Sequence, residues 1–173
     1  MFQKDLFGNS AEVQKKPFLR WTGGKNWLIK HLKTLISKIE FDTYHEPFIG
    51  GGSVFFSLET IKNSCLSDSN SELINTYKQV RDNPKGTIDY LKDFPQNKEF
   101  YYYLREKKTR SNIEKAAKFI FLNKTSFNGI YRVNSNGTYN VPYGKRSFDY
   151  KVLSKLIYSC SYQLKNSDIS CID

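Results

Sequence analysis

Residues 46–56 read EPFIGGGSVFF, and three consecutive glycines between two apolar runs restrict this chain more than any other feature. Glycine is required where the backbone turns to positive φ, or where something approaches the main chain too closely for a Cβ. The residues before the glycines read as a short strand over 44–49. Those after read as a helix over 53–61, with Val54, Phe55, Leu58 and Ile61 on one side. A second short strand over 64–67 ends at Asp68. It lies about twenty residues beyond the glycines, the interval at which a carboxylate meets a ribose hydroxyl in a doubly wound sheet. The spacing GxGxxG is absent, so a dinucleotide pyrophosphate is not indicated. A plain tight turn is the competing explanation for the glycines.

A second glycine turn, Trp21-Thr22-Gly23-Gly24-Lys25, precedes NWLIKHLKTLISKI. There Trp27, Leu28, Leu32, Leu35, Ile36 and Ile39 recur at intervals of three and four, which predicts an amphipathic helix over 26–39. The lysine can reach a carboxylate, and the indole can cover an aromatic ring or a sulfonium. A helix N-terminus beside a buried tryptophan is the competing explanation. Further helices are expected over 70–80, within 83–97, over 99–108, over 113–123 and over 149–164, with a last strand over 169–172. The pair Asn136-Gly137 between two β-prone runs signals a hairpin. The pattern is α/β at both ends and mainly helical in the middle.

The formal net charge is +10, and its placement is uneven. Residues 98–165 carry 14 Lys/Arg against 4 Asp/Glu, whereas residues 1–97 carry 13 against 11. Aromatic residues interleave with the basic block. That combination suits phosphates and stacked bases, although a lysine-rich solvated face around an aromatic core fits the charge as well. Within the block stands FLNKTSFNGIYRVNSNGTYNVPYGK. Arg132 can fork to the O6 and N7 of guanine. Asn128 can pair with a base edge or cap a turn, and Phe127 and Tyr131 can stack on or wedge between bases.

Three cysteines without CxxC spacing and two histidines without ligand spacing argue against a disulfide framework and a metal site. No window reads as a membrane span or signal peptide. A soluble, cytoplasmic protein is the expectation.

Taken together, FLRWTGGK (18–25), EPFIGGGSVF (46–55), LSDSN (66–70) with Glu72-Leu73-Ile74-Asn75, NKTSFNGIYRVN (123–134) and YNVPYGK (139–145) resemble the Dam-type, D12-class DNA adenine-N6 methyltransferases. The resemblance runs from about residue 17 onward and implies S-adenosylmethionine as cofactor and double-stranded DNA as partner. It implies donor contacts at Trp21, Gly23, Gly24, Lys25, Glu46, Pro47, Phe48, Gly50, Gly51, Gly52, Ser53 and Asp68, with Asp173 at the donor's adenine amine. It implies DNA contacts at Arg20, Lys124, Phe127, Asn128, Ile130, Arg132 and Tyr139, with Arg132 reading guanine and GATC as the suggested target. On this resemblance a donor packed on the main chain would explain the glycines.

The implied fold is a partial Rossmann-like methyltransferase sheet with an inserted, mainly helical recognition lobe. Its parts are a polar arm (1–16), a core (17–75 and 149–173) and a recognition segment (76–148). The family's Asp-Pro-Pro-Tyr element, which orients the target amine, is not in this sequence, whose prolines are Pro17, Pro47, Pro84, Pro95 and Pro142. No catalytic residue is therefore assigned. The expectation is a truncated or split enzyme of a restriction–modification or DNA-marking type, complemented by a C-terminal chain. A non-catalytic, sequence-specific DNA-binding module is the alternative.

Overall fold

A computed structural model describes residues 2–4, 10–12, 16–24, 26–58 and 61–172. The described residues form six α-helices and a three-stranded parallel sheet, with a separate pair of short strands near the start. That pair, β1 (Phe2–Lys4) and β2 (Ser10–Glu12), is antiparallel and lies within the expected polar arm.

The main sheet is ordered β3 (Thr43–Glu46), β4 (Asn63–Asp68), β5 (Ser167–Cys171), with β4 in the centre. Register pairs Glu46 with Leu66 and Asp68 with Cys171, so the strands end together at one edge of the sheet. Loops at the carboxyl ends of parallel strands are where an α/β sheet offers a crevice. β3 stops at Glu46, before the expected limit at 49, but Ile49 still donates its N–H to Ser67 O at 2.9 Å. The glycine loop therefore leaves the sheet from a tethered point.

Between β4 and β5 the chain runs through α2 (Ser71–Asp82), α3 (Pro84–Lys92), α4 (Lys98–Glu106), α5 (Asn112–Thr125) and α6 (Tyr150–Leu164). Each start has a chemical cause. Asn70 accepts from the N–H groups of Glu72 and Leu73, Asn97 from Phe100, Ser111 from Glu114 and Asp149 from Val152. Pro84 opens α3, where its missing donor costs nothing. On α6, Leu153, Leu156, Ile157, Cys160 and Leu164 are buried at helical spacing. On α5, Phe119, Ile120, Phe121 and Leu122 are all buried, so this helix is enclosed on several sides. One apolar cluster joins Phe18, the glycine-loop aromatics, α2, α5, α6 and β5, and it runs through α2, which spans residues 75 and 76.

One expectation fails and a second holds over a shorter span. No α-helix spans 53–61. A single 3₁₀ turn covers Phe55–Ser57, and Leu58 is already extended at φ −76°, ψ 151°. Phe55, Phe56, Ser57 and Leu58 are all buried. A continuous buried run leaves no solvent face, so the chain passes through the core as a tight turn. The apolar stripe over 26–39 does become a 3₁₀ turn (Asn26–Leu28) and α1 (Ile29–Ile36), but no residue of α1 is buried and Trp27 is 75% exposed.

The hairpin is present as a bridge between Val133 and Tyr139. Its turn is wider than the Asn136-Gly137 pair. Asn134 N bonds Thr138 O, and Asn134 Oδ1 accepts from the N–H groups of Asn136 and Thr138. No described helix is long and apolar enough to cross a membrane, and no cluster of metal-ligating side chains occurs among the described residues.

Candidate functional site

The two glycine turns pack against each other. A Cβ on Gly50 would lie 2.8 Å from the Trp21 indole, and one on Gly51 would lie 2.7 Å from Trp21 Cβ. A Cβ on Gly24 would lie 3.2 Å from Ser53 Oγ. On Gly52 it would meet the Phe56 ring at 2.7 Å. Gly50 and Gly52 also have positive φ, 47° and 69°. At the triple glycine the side chains of Trp21 and Phe56 already approach the main chain closely. Gly23 differs: its φ is 81° and a Cβ there would meet nothing within 4 Å.

Asp68 ties the loop to the sheet. Its Oδ2 accepts from Gly50 N and its Oδ1 from Asn70 N, both at 3.0 Å. Tyr77, fully buried on α2, donates its hydroxyl to Gly50 O at 2.8 Å. Burial pushes the Tyr77 hydroxyl well above its usual range, so it stays a donor. A carboxylate has about four acceptor sites, and Asp68 thus retains capacity on both oxygens for a diol. At the end of β3, Glu46 accepts from the Tyr44 hydroxyl at 2.9 Å. Burial raises the Glu46 pKa, opposed by bonds from Tyr44 and from the Phe55 main chain. Pro47 and Phe48 face solvent, Phe48 with 85% exposure. Lys25 and Asp173 lie outside the described residues.

Among the residues expected to meet DNA, Arg20 adjoins this loop through its neighbour Trp21. Arg20 precedes Trp21 and packs on the turn Phe127–Gly129, where a Cβ on Gly129 would lie 2.6 Å from Arg20 Cβ. Burial, then Arg146, lowers the Arg20 pKa. Phe127 is 53% exposed, and Asn128 is exposed with φ 53°. Ile130 is half-buried, and its carbonyl accepts the Tyr139 hydroxyl at 3.0 Å. Arg132 is exposed, with Nε on Asn140 Oδ1 at 2.8 Å and one terminal nitrogen on Asn140 O at 3.3 Å. Lys124, half-buried in the last turn of α5, has its pKa lowered to about 8, mainly by burial and then by Arg20 and Lys16.

Tyr131 is not the free stacking ring that its place in the sequence suggests. It stacks on Trp21 with centroids 5.8 Å apart, packs against Phe119 and Tyr139, and donates to Glu72 Oε2 at 3.0 Å. It also lines a hollow of about 530 Å³ with Arg105, Lys118, Phe119 and Tyr139. Tyr77 has no local pattern to mark it, while Glu72 and Asn123 lie in the stretches that carry the resemblance without a role assigned there; tertiary contacts give all three their roles.

This geometry can be set beside known proteins. The D12 class N6 adenine-specific DNA methyltransferase family matches residues 21–173. The chain belongs to that family. Its members are S-adenosylmethionine-dependent enzymes that methylate adenine N6 in DNA. The type II methyltransferase M1.LlaDCHI of Lactococcus lactis subsp. cremoris is 39% identical over 166 residues, covering 91% of this chain and 58% of that protein. M.MjaIII of Methanocaldococcus jannaschii is 36% identical, covering 93% and 63%. The DNA adenine methylase of Escherichia coli K12 is 31% identical, covering 91% and 58%. The chain spans about three-fifths of the length of these curated relatives.

Proposed function

We propose that this chain binds S-adenosylmethionine where Trp21, the glycine loop and Asp68 meet, and presents its recognition turn and hairpin to duplex DNA. In this reading it is the donor-binding and target-reading part of an adenine-N6 methyltransferase. The sheet is then part of a Rossmann-like core formed by 17–75 and 149–173, with 76–148 as the recognition segment. One observation carries the reading: both glycine turns and the Asp68 carboxylate are held together at the carboxyl ends of β3 and β4. The residues fit the donor, because the Asp68 carboxylate accepts one main-chain N–H on each oxygen and keeps further acceptor sites.

Bound there, the donor supplies a sulfonium methyl group for the exocyclic amine of an adenine turned out of the stack. The chain's own side chains bind and orient. Asp68 accepts bonds from ribose hydroxyls. The Trp21 indole offers an aromatic face to a cation. The loop residues Glu46, Pro47, Phe48, Gly50, Gly51, Gly52 and Ser53 and the turn residues Gly23 and Gly24 complete the donor side. Arg132, its plane fixed by Asn140, reads guanine. Phe127 wedges at a base step, and Arg20, Lys124, Asn128, Ile130 and Tyr139 line the same face. A GATC target follows the resemblance of the recognition stretch. No residue is assigned to orienting the target amine.

Titration calorimetry with S-adenosylmethionine and with a GATC duplex tests the proposal. Donor binding that Asp68→Ala abolishes, together with duplex binding that survives, supports it. Duplex binding with no donor affinity, unchanged by Asp68→Ala, would replace it with a non-catalytic DNA-binding module.

A further inference from the structure

Asn123, near the end of α5, has a side chain only 4% exposed. Its Oδ1 accepts from Arg20 N at 2.9 Å, and its Nδ2 donates to Arg20 O at 2.7 Å and to Gly129 O at 3.2 Å. All three bonds go to main chain. The amide orientation is fixed by them, because a reversed group would set its oxygen against two carbonyls. Arg20 adjoins Trp21, which covers the glycine loop, while Gly129 lies in the turn between Phe127 and the hairpin. A second tether runs alongside, the stack of Tyr131 on Trp21.

We propose that Asn123 is the positioning residue through which methyl-donor binding and DNA binding are coupled. This rests on the function proposed above and goes beyond it, since neither ligand needs to touch Asn123. A donor that orders Trp21 fixes the Arg20 main chain. Asn123 then holds the Gly129 carbonyl, and with it the recognition turn, in the arrangement that meets the duplex. By linkage the duplex must tighten donor binding by the same factor.

The test measures the dissociation constant of S-adenosylmethionine with and without a saturating GATC duplex, and that of the duplex with and without the donor. Two variants are compared. Asn123→Asp keeps an acceptor for Arg20 N–H but turns an oxygen toward the carbonyls of Arg20 and Gly129. Gly129→Ala leaves Asn123 intact and drives a methyl group into Arg20 Cβ. The wild-type chain should show reciprocal coupling on the order of 5- to 150-fold, falling toward one in either variant that retains the wild-type circular dichroism. A purely structural role would weaken both ligands and leave their ratio untouched, and that result overturns the proposal, as does a wild-type ratio of one. If Asn123→Asp does not fold, the ratio in Gly129→Ala decides. A wild-type chain with no donor affinity sinks the proposed function itself.

Discussion

Gly50 donates its main-chain N–H to Asp68 Oδ2 across 3.0 Å, so the carboxylate ending β4 fixes the glycine loop that follows β3. The same carboxylate caps the turn into α2 through Asn70 N. Asp68 is thus a structural clamp before any ligand arrives, and its removal must be felt in both roles.

Asp68→Ala should lower the melting temperature and abolish measurable donor binding. Hydrogen bonds to a charged group are worth roughly 1.5–3 kcal/mol each. Asp68→Asn retains an acceptor for one of the two N–H groups and should recover part of the stability without recovering the full donor affinity. Thermal unfolding alongside calorimetry separates the two. Equal recovery of both would mean that the carboxylate acts only through loop geometry.

Gly51→Ala should destabilise the fold by about 1–3 kcal/mol, the usual cost of overpacking, because its methyl would lie 2.7 Å from Trp21 Cβ. In a double mutant with Trp21→Gly, which removes that Cβ, the added cost of the Gly51 change should largely vanish, since contacting pairs are non-additive. Additive losses in a denaturant-unfolding cycle would show that something other than the Trp21 side chain excludes the methyl group.

Much of the fold was legible, for reasons that are local. The helix expected over 149–164, the body of α5 expected over 113–123 and the strand ending at Asp68 are each set by residues within one segment. The failures are non-local. The run of Val54, Phe55, Phe56 and Leu58 looks like half a helix, but burial around the whole chain makes it a 3₁₀ turn. The α1 stripe has helical spacing yet buries nothing among the described residues. The triple glycine was legible as a close approach, but that Trp21, nearly thirty positions earlier, packs on it was not. Asn123 heads one of the resembling stretches, but its role is not legible until Arg20 is seen bonded to it twice.

Lys124 gives a pH signature. Its pKa is lowered to about 8 from 10.5 by burial, with Arg20 and Lys16 adding to the shift and Cys160 opposing it. The unfolded chain therefore binds more protons than the folded one between those values, and stability rises as pH climbs from about 8 to 10.5. At 1.36 kcal/mol per unit, the rise is at most about 3 kcal/mol. Lys124→Met should flatten this limb in melting scans across that range. If Lys124 also meets a phosphate, its loss of charge above pH 8 should reduce the salt slope of DNA binding by about one. A wild-type limb identical to that of Lys124→Met removes the assignment.

Arg132 carries the sharpest prediction about sequence reading. Its Nε and one terminal nitrogen are held by Asn140, which leaves part of the guanidinium fork exposed and fixed in plane. A planar donor pair matched to guanine O6 and N7 is worth about 1–3 kcal/mol of discrimination. Arg132→Ala should therefore flatten the preference at a single guanine across a set of duplexes with one pair changed. Arg132→Lys should not restore it, because a point charge lacks the fork. Asn140→Ala keeps the guanidinium but frees its plane, and should give an intermediate loss at that same position. A uniform loss over every duplex, with a shallower salt slope, would instead place Arg132 on a phosphate.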